Sequence, residues 1–116
     1  MEQDRKVINE IVRFLDDRKA EDLVVLDLRQ HANIAEYFII ATGANKPHLK
    51  ALHDGLQRTF KDAGFKDYHK AGVPDSGWMI MDYQGIMVHI FERELRDFYD
   101  LEKLWKDAPK IEVEVC

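Results

Sequence analysis

From Val7 to Leu15 the apolar positions Val7, Ile8, Ile11, Val12 and Leu15 recur at spacings of three and four, with Arg5, Glu10, Arg13 and Asp17 around them. That period draws one apolar stripe along a helix and predicts an amphipathic helix from about Gln3 to Arg18. The pattern then changes. Leu23-Val24-Val25-Leu26-Asp27-Leu28 and Tyr37-Phe38-Ile39-Ile40-Ala41-Thr42 are short, nearly continuous apolar runs of strand length, as expected of strands covered on both faces. The second ends at Gly43. From about Pro47, whose fixed φ suits a first helical turn, Leu49, Leu52, Leu56, Phe60 and Ala63 make a second helical stripe, and Gly64 is a natural stop.

Lys66 to His69 has the length of a short edge strand, and Ala71 to Gly77, with Gly72, Pro74 and Gly77, reads as a loop. Trp78 to Tyr83 and Ile86 to Phe91 are two strands joined by Gln84-Gly85, a two-residue turn in which glycine accepts positive φ. Glu92 to Trp105 carries Leu95, Phe98, Leu101, Leu104 and Trp105 at helical spacing, and Pro109 closes it. The elements predict an α/β fold: a single mixed β-sheet with a hairpin in its C-terminal half and helices packed on it, formed by residues 1–107. Residues 108–116 are expected to form a C-terminal tail. Its Ile111-Glu112-Val113-Glu114-Val115 alternation is strand-like, and its terminal position makes fraying an equal expectation.

Composition narrows the class. The 116 residues are 46% hydrophobic and 34% charged, far from a disordered profile, and burying roughly 65% of the extended-chain surface sustains one core. A single cysteine, Cys116, allows no internal disulfide and no four-thiolate metal site, in keeping with a reducing compartment. The first residues, Met1-Glu2-Gln3-Asp4-Arg5-Lys6, have neither a signal peptide's apolar stretch nor a transit peptide's lack of acids. The longest apolar run, Tyr37 to Ala41, falls far short of the ~20 residues that span a bilayer. A cytoplasmic protein without a membrane segment is expected. Its net charge of −5 disfavours phosphate-driven nucleic-acid binding and suits docking on a basic protein.

Catalytic chemistry finds little support in the residues. The one serine, Ser76, has no nucleophile-elbow glycines around it, and Cys116 is terminal. His31, His48, His53, His69 and His89 show no paired metal spacing; residues five apart, as His48 and His53 are, diverge by about 140° on a helix. Asp27, Asp54 and Asp82 lie in separate elements without an acid/base partner. Thr42-Gly43-Ala44-Asn45, a glycine turn between a buried strand and a helix N-terminus, is where a phosphate could sit. It lacks the second glycine and the Gly-Lys-Ser or Gly-Lys-Thr end of a phosphate loop, so a nucleotide-binding domain is the secondary reading. No catalytic residue, cofactor or metal is expected.

Register singles out a better candidate. A two-residue turn pairs Tyr83 with Ile86, Met81 with Val88 and Met79 with Ile90 on one face, which is packing material. The opposite face pairs Asp82 with Met87, Ile80 with His89 and Trp78 with Phe91. That mixture of aromatic, aliphatic and polar groups is what docking surfaces use, although a covering helix with His89 as a core histidine would produce the same pattern. The charged residues of the last helix, Glu92, Arg93, Glu94, Arg96, Asp97, Asp100, Glu102 and Lys103, read as its solvated side, and Phe98 and Trp105 as core. Tyr99 falls off the apolar stripe.

Four segments together, Tyr37-Phe38-Ile39-Ile40-Ala41-Thr42-Gly43, Gly77-Trp78 with Asp82-Tyr83, Val88-His89-Ile90-Phe91, and Arg96 to Trp105 (RDFYDLEKLW), resemble the ribosomal silencing factor family, also called Iojap-like. The resemblance runs from about Leu23 to Trp105. It implies a fold related to nucleotidyltransferases without their catalytic carboxylates, no enzymatic activity, and binding to large-subunit ribosomal protein fourteen on the face of the large ribosomal subunit that meets the small one. A translational repressor acting by steric block, or an assembly factor of the large subunit using the same surface, follows from it. Matched residue by residue, Trp78, Asp82, Tyr83, His89 and Phe91 fall on the family's hairpin motif, and Tyr99, Asp100 and Glu102 on its last-helix motif; these are the expected partner-binding residues. Tyr83 sits awkwardly among them, since the hairpin register turns it to the packing face. Glu36, Asn45, Pro47 and Ala71 depart from the usual pattern, so the expectation rests on the hairpin and last helix. A homodimer through the apolar hairpin face is a further reading.

Overall fold

A computed structural model of the protein describes residues 2–31, 35–65, 68–72 and 76–111. Helix α1 (Glu2–Asp17) leads to strands β1 (Glu21–Asp27) and β2 (Tyr37–Gly43), helix α2 (Lys46–Asp62), strands β3 (His69–Ala71), β4 (Trp78–Tyr83) and β5 (Ile86–Glu92), and two short helices, α3 (Arg93–Tyr99) and α4 (Leu101–Leu104). The five strands form one mixed sheet in the order β1-β2-β5-β4-β3. Only β2 and β5 run parallel; the other neighbours are antiparallel. Every residue of β2 is buried, as its unbroken apolar run requires of a strand with a strand on either side and a layer on each face.

The helical stripes account for one layer. Val7, Ile8, Ile11, Val12 and Leu15 of α1 and Leu49, Leu52, Leu56 and Phe60 of α2 are all buried, packed on the sheet residues Ile39, Met79, Met81, Val88 and Ile90. Fully burying side chains of this kind stabilises a fold by about 1.5–3 kcal/mol each. On the other face, Leu26, Phe38, Ile40 and Phe91 form a smaller cluster with Leu95, Leu101, Trp105 and Ala108 from the C-terminal segment. This cover is incomplete: Trp78, Ile80, Asp82 and Met87, on the same face, are only half-buried.

The hairpin has the predicted register, residue for residue from Trp78↔Phe91 to Tyr83↔Ile86. Its turn places Gln84 at φ 48 and Gly85 at φ 91, both left-handed, as a turn matched to strand twist demands. Two expectations about elements are corrected. The edge strand occupies His69–Ala71 rather than Lys66–His69, so Ala71 is strand and not loop, while residues 66–67 lie outside the described residues. All three β3 residues are exposed, so no apolar alternation marks them, and pairing with β4 alone sets their position. The single helix expected from Glu92 to Trp105 is broken at Asp100, which adopts φ 47, ψ 58. The Asp100 N–H closes α3 on the Arg96 carbonyl at 2.9 Å, and its carboxylate accepts from the Lys103 N–H at 3.3 Å to open α4; aspartate tolerates this left-handed conformation better than most residues.

The start of the tail is held. The Asp27 N–H donates to the Pro109 carbonyl and the Ile111 N–H to the Val25 carbonyl, both at 2.9 Å, so the chain continues antiparallel along the free edge of β1. The rest of the Ile111–Val115 alternation, residues 112–115, lies outside the described residues.

Candidate docking surface

The hairpin positions Trp78 at the open margin of the sheet. Its indole stacks on Phe91 with ring centres 4.8 Å apart and 28° between planes, and the ring of Tyr99 in α3 makes a tilted contact with it, also at 4.8 Å. The Trp78 Nε1–H donates to His89 Nδ1 at 3.1 Å. His89 and Phe91 are buried, 3% and 1% exposed, with the His89 ring edge-on to Phe38 at 4.5 Å. Burial pushes the imidazole down to about 4, so it is neutral at physiological pH. Tyr83 lies on the far face, buried against Phe60 and Phe65, where its register put it. Of the eight expected contact residues, Trp78, Asp82, Tyr99, Asp100 and Glu102 reach the surface; His89 and Phe91 are buried beneath it, and Tyr83 is buried on the opposite face of the sheet.

Helix α3 is the principal departure from expectation. Phe98 is 78% exposed and Arg96 only 5%, the reverse of a helix with its phenylalanine in the core and its arginine in solvent. Arg96 Nη1–H donates to Thr42 Oγ1 at 2.8 Å and to the Asp22 carbonyl at 2.7 Å, and Nε–H donates to Glu102 Oε1 at 2.9 Å. One side chain thereby ties α3 to β1, β2 and α4. The irregularity in β1 between Glu21 and Val24, with Asp22 at φ 50, turns the Asp22 carbonyl toward it. Arg93 pairs with the Asp22 carboxylate and holds that carboxyl below its usual range. With Arg96 pinned inward, Phe98 and Tyr99 project outward, their rings 5.1 Å apart, and Leu104 of α4 is 67% exposed.

Acids border these apolar groups. Asp97, Asp100 and Glu102 line a shallow depression with Asp22, Arg93 and Arg96; Glu102 is already engaged by Arg96. On the sheet, Asp82 faces His69 and Met87, and its Oδ1 is buried with no hydrogen-bond partner among the described residues. Sequence reasoning missed Arg96, Phe98 and Leu104. The one available signal was an arginine within a contact motif, which periodicity assigned to solvent.

The helix N-terminus at Thr42–Asn45 is filled by its own side chains. Asn45 Oδ1 accepts the His48 N–H at 2.8 Å, and His48 Nδ1 accepts the Ala44 N–H at 2.9 Å. His48 Nε2 therefore carries the proton and donates to the Arg18 carbonyl at 2.8 Å. Among the described residues no group of three His, Cys, Asp or Glu side chains could hold a metal ion, and no helix is long and apolar enough to cross a membrane.

Known proteins resemble this chain in sequence and fold. The family model described as ribosomal silencing factor during starvation matches residues 1–116. Ribosomal silencing factors of Halalkalibacterium halodurans and Haemophilus influenzae are 33% identical over 103 residues and 35% over 95 residues, covering 89% and 82% of this chain and 88% and 93% of theirs. A mitochondrial Iojap-related protein of Arabidopsis thaliana is 30% identical over 83% of this chain and 54% of its own. Crystal structures from Bacillus halodurans and Chromobacterium violaceum superpose with TM-scores of 0.81 and 0.82 at 27% and 28% identity, covering 94% and 97% of this chain and 99% and 92% of theirs. A five-stranded mixed sheet with an exposed aromatic margin thus coincides with a match over the whole length, and the chain belongs to the ribosomal silencing factor family.

Proposed function

We propose that the protein is a cytoplasmic translational repressor that binds the large ribosomal subunit through large-subunit ribosomal protein fourteen and sterically blocks joining of the small subunit. The observation that carries the reading is the outward-turned α3, where Phe98, Tyr99 and the neighbouring Trp78 offer an aromatic surface next to the open part of the sheet. Exposed aromatics near one another, rimmed by polar groups, mark interaction sites, because burying them on a partner gains large area at little entropic cost. Asp82 and Asp100 flank this surface, and with a net charge of −5 they favour a basic partner such as a ribosomal protein. Trp78, Asp82, Phe98, Tyr99 and Asp100 are the proposed contacts; Glu102 acts through Arg96, and His89 and Phe91 act from below. No bond is made or broken in this mechanism: occupancy of the joining face is the activity. A nucleotide site at Thr42–Asn45 gains no support, because Asn45 and His48 take the donors a phosphate would need.

Co-sedimentation with isolated large and small subunits, followed by addition of the missing subunit, tests the proposal. Selective binding to the large subunit with loss of joined ribosomes is expected. No binding at micromolar concentration would refute it. Binding without any effect on joining would instead favour a role in large-subunit assembly through the same surface, and light scattering across a dilution series would reveal a homodimer that hides it.

A further inference from the structure

His89 occupies an unusual position. Its ring lies among Phe38, Phe91 and Trp78, almost parallel to Phe91 at 9° with ring centres 6.0 Å apart. An indole N–H can only donate, so the 3.1 Å contact from Trp78 Nε1 makes His89 Nδ1 the acceptor and puts the imidazole proton on Nε2. Nε2 is buried and has no hydrogen-bond partner among the described residues. A buried unpaired donor destabilises a fold, and a phenylalanine of similar size would avoid that cost. The imidazole differs from phenylalanine here in one useful respect: it presents an acceptor to the indole from beneath.

That acceptor selects one orientation of Trp78. Stacking on Phe91 and contact with Tyr99 hold the indole between them, but stacking has little preference for which ring edge faces inward. The hydrogen bond supplies the preference, since a flipped indole would carry Nε1 away from His89. We propose that His89 is a positioning residue of the docking surface: its neutral imidazole locks the Trp78 indole in one orientation, and affinity for the large subunit depends on that lock. The proposal rests on Trp78 being a docking contact. Its physical basis is preorganisation: an anchor already held in its bound orientation loses less freedom on association.

Two substitutions separate positioning from packing. His89→Asn sets an amide oxygen where the imidazole Nδ1 stands, which keeps the acceptor but leaves a void, whereas His89→Phe fills the space and removes the acceptor. If His89 matters only for packing, binding follows stability and His89→Phe is the better binder. If it positions Trp78, binding follows the acceptor: His89→Phe loses about tenfold in affinity, and His89→Asn stays within about threefold of the parent. The Trp78 indole N–H resonance, distinguished from that of Trp105 by Trp105→Phe, shifts upfield in His89→Phe and keeps its place in His89→Asn. Should His89→Phe not fold, His89→Leu removes the acceptor in its stead. Parent-like affinity and an unmoved resonance without the acceptor overturn the inference. Trp78→Ala serves as the control: if it abolishes binding while His89→Phe does not, only the inference fails; if Trp78→Ala binds normally, the docking reading fails and takes the inference with it.

Discussion

Lowering the pH should destabilise this protein through His89 by an amount that its burial sets. In the unfolded chain the imidazole titrates near 6.5; in the folded chain burial moves it to about 4. The folded state therefore resists a proton that the unfolded state accepts. The contribution is complete above the unfolded value, is lost progressively as pH falls from 6.5 toward 4, and changes no further below. The 2.5-unit difference, at 1.36 kcal/mol per unit, amounts to about 3 kcal/mol. Against the roughly 5–15 kcal/mol of an ordinary domain, that is a large fraction. Urea unfolding of the parent and of His89→Phe, at several pH values between 7 and 4, isolates the effect, because every other titrating group is shared. Asp22, Asp27 and Asp54, held low by Arg93, Arg29 and Lys50 respectively, begin to lose their contributions at the acid end of the window, alike in both proteins. The parent should lose about 3 kcal/mol more than the variant across the window. Parallel curves would refute the assignment of His89 as a buried neutral imidazole.

Arg96→Met should lower unfolding stability by about 2 kcal/mol, since it strands Glu102, the Thr42 hydroxyl and the Asp22 carbonyl together; denaturant titration reads this, and large-subunit binding should weaken as α3 loses its orientation. Phe98→Asp should leave stability within about 0.5 kcal/mol, because the ring is 78% exposed, yet reduce co-sedimentation with the large subunit at least about tenfold. Gly72→Ala should cost about 2 kcal/mol or more in thermal or denaturant unfolding, as φ is +86 and a Cβ would lie 2.3 Å from the Trp78 carbonyl oxygen. Gly64→Ala, with φ +80 but nothing within 4 Å, should cost only the backbone term of about 1 kcal/mol.

The sequence alone determined the elements whose signals are local. A 3.6-residue stripe names the buried side of α1 and α2 because helix geometry repeats it regardless of partner. Gln84-Gly85 determined the hairpin register from Trp78 to Phe91, because a two-residue turn admits only one alignment of its strands. Family motifs named Trp78 and Tyr99, which the fold brings into ring contact at the margin proposed to dock. Tertiary structure alone decided which motif residues face outward. Seven residues of α3 make barely two turns, too few for an apolar stripe to dictate orientation; Arg96 dictates it instead, through Asp22 and Thr42, 74 and 54 positions away in the chain. The same holds for His89, whose burial comes from Phe38 on β2 and Trp78 on β4. A residue's neighbours along the chain set its local geometry, but a charge or an imidazole is kept inside only by partners that the fold brings to it.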